Sequence, residues 1–328
     1  MAVSEPPRFP LVVLPTPLWP AARLSAALAG PSILVKRDDL TGFALGGNKT
    51  RKLEYLLGDA LATSSDVLLT GGGPDSNHCQ AAAAAARVAG LVCELVLYGD
   101  EPRQPHLNLE LARRSGARVG FTGDPDRPSV DDALADRAEQ LRAAGRRPYV
   151  VPRGGATPLG AVGYALAAGE LAEQLAELDT DPEVVLVATG SCGTQAGLVA
   201  GTVAAGRRWR VVGAAVSRPP AECHDRVLRL ARGCAALLNS PPPEERDVEL
   251  VDARGPGYGV ASADGDAAAS LAAATEGLLL DPVFTAKAMA VLVATIGAGL
   301  SGPAVFVHTG GMPVALQSIA RRCGDRQR

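Results

Sequence analysis

From about residue 53 onward, the chain alternates short apolar runs with stretches whose apolar residues return every three or four positions. Leu53, Leu56, Leu57, Ala60 and Leu61 fall at i, i+3, i+4, i+7 and i+8, the stripe of an amphipathic helix. The run 67–70 (VLLT) leads into glycines 71–73 and an alanine-rich helix from about 76 to 88. Strand-like runs at 92–98, 118–121 and 149–152 then alternate with helical sequence near 106–115 and 130–144. The second half keeps the rhythm, with strands at 184–189, 211–216 and 304–308 and helices from about 194, near 220–237, near 283–296 and at the end. Short apolar strands separated by helices pair in parallel, with helices covering both faces of the sheet. The expected fold is therefore α/β, with mostly parallel sheets.

Several strand-to-helix junctions are glycine-rich: 71–77 (GGGPDSN), 154–155, 190–193 (GSCG) and 309–311 (TGG). In open parallel sheets ligands lie beyond the carboxyl ends of the strands, so one cleft served by several of these turns is expected. Composition narrows the ligand. Net charge is −3, from 32 basic and 35 acidic residues spread along the chain, which disfavours nucleic acid and anionic membrane as partners. The first twenty residues carry no basic n-region, and Pro15, Pro17 and Pro20 interrupt their apolar stretch, so neither a signal peptide nor a membrane span is expected. Six cysteines form no CxxC or His/Cys ligand cluster, which points to thiols in a reducing, cytoplasmic setting and to no metal.

Of the 32 basic residues only Lys36, Lys49, Lys52 and Lys287 are lysines. Lysine differs from arginine in that it can lose its proton and act as a nucleophilic amine. In 41–57 (TGFALGGNKTRKLEYLL), Asn48 or Thr50 is a candidate cap, and Lys49 falls at a helix start, where the helix dipole disfavours an ammonium. Gly42 and Gly46 before Lys49-Thr50 loosely resemble a nucleotide-binding P-loop, but Asn48 intervenes and no buried strand is expected just before. The second element, 184–201, is a buried strand, the turn Gly190-Ser191-Cys192-Gly193-Thr194 and a helix, which together make a cradle for one phosphate. A poised lysine, a phosphate turn and a parallel α/β frame suggest pyridoxal 5′-phosphate, which needs both a Schiff-base amine and a phosphate site.

The motifs 46–56 (GGNKTRKLEYL), 76–78 (SNH), 190–201, 255–259 (GPGYG), 275–289 (TEGLLLDPVFTAKAM) and 308–311 (HTGG) resemble, in order and spacing, the D-cysteine desulfhydrase and 1-aminocyclopropane-1-carboxylate deaminase family. That family belongs to the tryptophan-synthase-β-like, fold type II pyridoxal phosphate enzymes. The resemblance implies two open, mostly parallel twisted sheets flanked by helices, with the cofactor between a large domain (1–51 and 161–328) and a small one (52–160). It implies Lys49 as the Schiff-base lysine that also moves the α-proton, with Ser76 and Tyr258 as further catalytic residues. Asn77 would meet the cofactor's 3′-oxygen, Gly190, Ser191, Cys192, Gly193 and Thr194 its phosphate, and Thr309 its ring nitrogen. Lys52, Ser76, Asn77, His78, Tyr258 and Phe284 would line the substrate, a small amino acid, and a homodimer is usual.

The implied reaction is α,β-elimination, giving a 2-oxo acid, ammonia and a leaving group such as sulfide. The alternatives are β-replacement, which makes a new amino acid, a protein that binds the cofactor without turnover, and a nucleotide-binding protein using 42–50 and 190–194. Departures from the family pattern bear on the substrate. Phe284 stands where the family usually has tyrosine, Cys192 where it has glycine or another small residue, and 154–160 (GGATPLG) where it tends to read GGSNALG. Deaminases of the cyclopropane substrate are expected to carry Tyr-Glu where this chain has Phe284-Thr285, which disfavours that activity. Lys36 and Lys287 are expected in surface or interdomain ion pairs, and His308 as a packed strand-end residue.

Overall fold

A computed structural model describes residues 6–325. Its elements, in chain order, are β1 (Leu18–Pro20), α1 (Ala22–Ala27), β2 (Ile33–Lys36), α2 (Asn48–Ala62), β3 (Val67–Gly72), α3 (Asn77–Val88), β4 (Val92–Leu97), α4 (Leu107–Arg114), β5 (Arg118–Phe121), α5 (Ser129–Ala143) and β6 (Pro148–Val151). They continue with α6 (Pro158–Glu177), β7 (Val184–Thr189), α7 (Gly193–Ala204), β8 (Arg210–Ala215), α8 (Pro220–Leu237), β9 (Glu249–Asp252), α9 (Ala263–Glu276), α10 (Thr285–Gly297), β10 (Ala304–Val307) and α11 (Met312–Asp325). No described helix is long and apolar enough to cross a membrane.

The strands form two sheets, one of order β1-β2-β10-β7-β8-β9 and one of order β5-β4-β3-β6. Every pairing is parallel except β1 with β2, where Trp19 faces Val35. β3 and β7 are buried at every residue, because helices cover both faces of a central strand and leave no polar side to alternate with. The alternation expected from the sequence is thus present, in two separate sheets.

Elements absent from the sequence reading share a physical cause. β2 has four residues and β9 four, too short to show a period. The twenty-residue α6 buries Val162, Tyr164, Ala165, Leu171 and Leu175 around most of its circumference, so no single stripe marks it. Half of α9 is alanine, which leaves no contrast between its faces. The buried strand β2 does precede the 42–50 glycines, contrary to expectation, but a 3-10 turn at Asp38–Leu40 separates them.

A buried polar network ties the start of α2 to this frame. Arg51 donates to both Asp38 oxygens at 2.9 Å and to Glu170 on α6 at 3.0 and 3.1 Å. Tyr164 donates to Asp38 at 2.5 Å, and Lys36 on β2 bonds Glu170 and donates to the Thr16 carbonyl at 2.9 Å. Lys36 is thus 2% exposed and paired within the six-stranded sheet's surroundings, not at the surface. Lys287, equally buried, donates to the Arg254 and Gly257 carbonyls at 2.7 and 2.9 Å and pairs with no carboxylate among the described residues.

Candidate active site

In the small sheet the chain moves from β3 to β4 and β5 and then returns on the far side of β3 as β6; in the large sheet β7, β8 and β9 are followed by β10 on the far side of β7. Loops leaving two such strands turn opposite ways and open a crevice between them. The two crevices form a single cleft of about 1230 Å³, counted out to its mouth. Gly71–Gly73 and Arg153-Gly154 line it from the small sheet, Gly190–Cys192 and Thr309–Gly311 from the large one.

Lys49 is the second residue of α2 and lines this cleft. Neither expected cap operates: the N-cap is Gly47, with no side-chain bond, while Thr50 donates its hydroxyl to the Gly47 carbonyl at 2.7 Å. Asn48 instead pins the helix start between two turns. Its backbone N–H donates to the Thr309 carbonyl at 3.0 Å, and its Nδ2 to the Thr194 hydroxyl at 2.8 Å. Burial brings the Lys49 ammonium down to about 8, against the Asp281 carboxylate, which acts the other way.

The turn after β7 has the shape of an anion cradle. Cys192 has φ +76°, the left-handed region that glycine occupies without strain, and α7 begins at Gly193. A side chain at Gly193 would start 3.1 Å from both the Ala156 Cα and the Lys52 Nζ. Lys52 does not line the cleft, contrary to a role on the substrate carboxylate; it lies behind the cradle. It is 1% exposed and donates, among the described residues, only to the Gly154 carbonyl, at 3.4 Å, and burial followed by Lys49 pushes its ammonium well down. A buried, poorly partnered ammonium beside free N–H groups at a helix start is the electrostatic counterpart of a bound anion. Hydrogen bonding with Cys223, then burial, pushes the Cys192 thiol up, as befits a packing residue.

At the start of α3, Ser76 is the N-cap and accepts the Cys79 N–H at 3.2 Å. Asn108, which the sequence did not single out, donates to the Asp75 carbonyl at 2.7 Å and to the Asn77 Oδ1 at 2.9 Å. The Asn77 amide is thereby oriented, and its Nδ2 has no protein acceptor among the described residues. His78 lines the cleft, but its Nε2 meets the Thr70 hydroxyl at 2.9 Å. That hydroxyl already donates to the Val151 carbonyl at 2.7 Å, so Nε2 carries the proton and the buried Nδ1 is left as a bare acceptor. Burial, then Lys49 and Lys52, holds the imidazole neutral.

The opposite wall comes from the large sheet. Tyr258 and Phe284 both line it, their rings edge to face at 6.0 Å. Asp281 accepts the N–H groups of Val283, Phe284 and Thr285 at 2.9, 2.8 and 3.1 Å, so α10 is capped by a cleft residue. Thr309 lines the cleft through its turn, and its hydroxyl has no protein partner among the described residues. Of the expected site residues, only Lys52 and Gly193 are off the cleft wall, both directly behind it. His308 is 2% exposed and accepts the Gly310 N–H at 3.3 Å, a packed strand-end residue as expected. Unforeseen on the wall are Asp75, Tyr98 and four arginines, Arg127, Arg153, Arg218 and Arg226, residue types that carry no local signal until the fold gathers them.

Residues 10–310 match the family described as "Pyridoxal-phosphate dependent enzyme". The chain is 41% identical over 318 residues to D-cysteine desulfhydrase of Salmonella choleraesuis, with 94% of each chain covered. It is 38% identical over 334 residues to 1-aminocyclopropane-1-carboxylate deaminase of Burkholderia vietnamiensis, with 98% of each covered. The crystal structure of an ACC deaminase homologue superposes with a TM-score of 0.88 at 36% identity, covering 94% of this chain and 93% of that one. With a family match over nearly the whole length, the chain belongs to the pyridoxal-phosphate dependent enzymes of fold type II.

Proposed function

We propose that this enzyme is a lyase that carries out α,β-elimination on a small amino acid, in the manner of a D-cysteine desulfhydrase. The observation that carries the reading is Lys49, an amine brought to about 8 at the centre of a cleft with an anion cradle on one side and oriented hydrogen-bond donors on the other. The cleft fits the cofactor: the cradle at 190–194 with Lys52 behind it suits the phosphate, the Asn77 amide the 3′-oxygen and the Thr309 hydroxyl the ring nitrogen. Bound there, pyridoxal phosphate supplies an electron sink that makes the Cα proton of an amino acid removable.

The chain's own groups do the rest. Lys49 would hold the cofactor, and its amine is the base that takes the α-proton, for which an amine near neutrality is suited. Ser76 and the first N–H groups of α3 hold the substrate carboxylate. Tyr258 stays protonated, since burial and then Asp75 push its phenol up, and it faces the substrate side chain. Cyclopropane opening is disfavoured, because its substrate lacks an α-hydrogen and needs further acid–base help. Phe284 has no hydroxyl, and Thr285, 0% exposed, commits its own to Asp281 at 2.7 Å. The two structural units are taken as 1–51 with 161–328 and as 52–160, in a cytoplasmic homodimer.

The test is the visible spectrum of the purified protein and of Lys49→Ala, each titrated with D- and L-cysteine, D- and L-serine, O-acetylserine and aminocyclopropane carboxylate while keto acid is assayed. A visible band that depends on Lys49, and pyruvate from one of these amino acids in multiple turnovers, is the expected result. A band without keto acid, but with a new amino acid when a thiol is supplied, would replace elimination by β-replacement.

A further inference from the structure

Four arginines line the cleft, and two of them are held by carboxylates. Arg153 holds Asp131 through two bonds of 2.9 and 2.5 Å, and Arg218 holds Glu222 at 2.6 Å. Arg226 leans on the phosphate cradle through the Ser191 carbonyl at 3.3 Å. Arg127 differs. It lies in the loop between β5 and α5 and reaches across to the large sheet, where its guanidinium sits 3.9 Å above the Tyr258 ring. Its one hydrogen bond is a long one, 3.5 Å to the Ser217 carbonyl, and no carboxylate pairs with it among the described residues. A guanidinium is charged at every working pH, cannot serve as an acid and presents five donors. Half-buried beside Arg153 and Arg218, it is held by the Tyr258 ring and one carbonyl, with its charge uncompensated by any carboxylate among the described residues and open to an anion in the cleft.

We propose that Arg127 receives the negative charge that the substrate's β-substituent carries before it leaves, so that the enzyme favours amino acids with an anionic leaving group such as phosphate, sulfate or thiosulfate over those whose β-substituent is neutral. This rests on the elimination reading and names its substrate class. In the overall reaction the Cα–H and Cβ–X bonds break, the proton passes to Lys49, and X leaves with the bonding pair as X⁻ beside Arg127. Hydrolysis of the remainder by water gives the 2-oxo acid and ammonia. Hydroxide, which must be protonated in order to leave, is poorly served: Phe284 has no hydroxyl, and the Tyr258 phenol is held protonated as a weak acid. Asp75, whose charge also acts on Tyr258 and Tyr98, repels an anion from its own side of the cleft.

The experiment compares kcat/KM of the holoenzyme for O-phosphoserine and S-sulfocysteine with that for β-chloroalanine, both enantiomers of each, in wild type, Arg127→Lys and Arg127→Met. The expected result is that the ratio of anionic to neutral substrate falls about 10- to 100-fold in Arg127→Met and recovers partly in Arg127→Lys, as for loss of a charged hydrogen bond. Independently, inorganic sulfate is titrated into the holoenzyme and followed by thermal shift. Its midpoint should rise at least about 10-fold in Arg127→Met. An equal loss for all three substrates, with the sulfate midpoint unchanged, would overturn the proposal and make Arg127 a support for the Tyr258 ring. If no compound is turned over by any form, the elimination reading has failed, and the sulfate arm alone decides whether Arg127 is an anion seat.

Discussion

The proposed chemistry rests on one amine, that of Lys49. A lysine on an exposed helix titrates near 10.4, so at neutral pH almost none of it is a nucleophile. Burial at the second position of α2 brings Lys49 to about 8, while Asp281 limits the fall. An amine with that value is still mostly protonated at pH 7, yet a useful fraction is free, and it regains a proton readily. In the apoprotein, acylation of Lys49 followed by mass spectrometry should reach half its limiting rate near pH 8. An Asp281→Asn variant should shift that midpoint to lower pH, because the opposing carboxylate is gone. A midpoint near that of an ordinary lysine would show that the cleft does not tune the amine.

Among the elements, α6 and α7 set how far the cradle stands from the rest of the cleft. Their backbones touch. A side chain at Gly197 would start 2.3 Å from the Ala161 carbonyl oxygen, and one at Gly201 would start 2.2 Å from that of Ala165. Because α7 begins at the cradle, a shift of this helix moves the cradle too. Gly201→Ala should therefore lower unfolding stability by about 1–3 kcal/mol, as overpacking does, and weaken retention of the cofactor on dialysis. Gly169→Ala on α6 is the control, since nothing lies within 4 Å of the added carbon and the helix gains up to about 1 kcal/mol from losing a glycine. If both variants behave alike in urea, the contact between the two helices is not tight.

Over the whole molecule, the network of Arg51, Asp38, Glu170, Lys36 and Tyr164 joins β2, α2 and α6, and with them the lysine and the frame around it. Burial pushes the Asp38 carboxyl up, but Arg51, Tyr164 and Thr16 outweigh it and hold it below the usual range. Glu170 is likewise lowered, by Arg51 and Lys36 against burial. A carboxylate with a depressed folded pKa contributes fully above its unfolded value and loses that contribution as pH falls through the folded one. Unfolding free energy should thus hold from neutrality to about pH 5 and decline from about pH 4 downward. Arg51→Met should cost about 3–5 kcal/mol at neutral pH, because it strands the buried Asp38 carboxylate and leaves Glu170 paired with Lys36, and it should flatten the acid decline. A wild-type curve level to low pH would remove the network from the account.

What the sequence by itself determined is what rests on local patterns. Continuous apolar runs such as 184–189, short and followed by glycines, read as strands buried on both faces, and the glycine turns after them line the cleft. Lys49, Asn77, Tyr258 and the 190–194 turn were legible because each stands in a motif whose neighbours serve the same purpose. Tertiary structure alone decided the rest. Nothing in the order of the strands announces that β10 returns to lie between β2 and β7, yet that return opens the crevice and brings Thr309 against the start of α2, where its carbonyl accepts the Asn48 N–H. Lys52 is three residues from Lys49 but faces the back of the cradle. Asn108 orients Asn77 from 31 residues away, and Arg127 meets Tyr258 only across the two sheets. A residue's type and spacing constrain its own element, whereas the charge or hydrogen bond it meets is chosen by how distant elements pack.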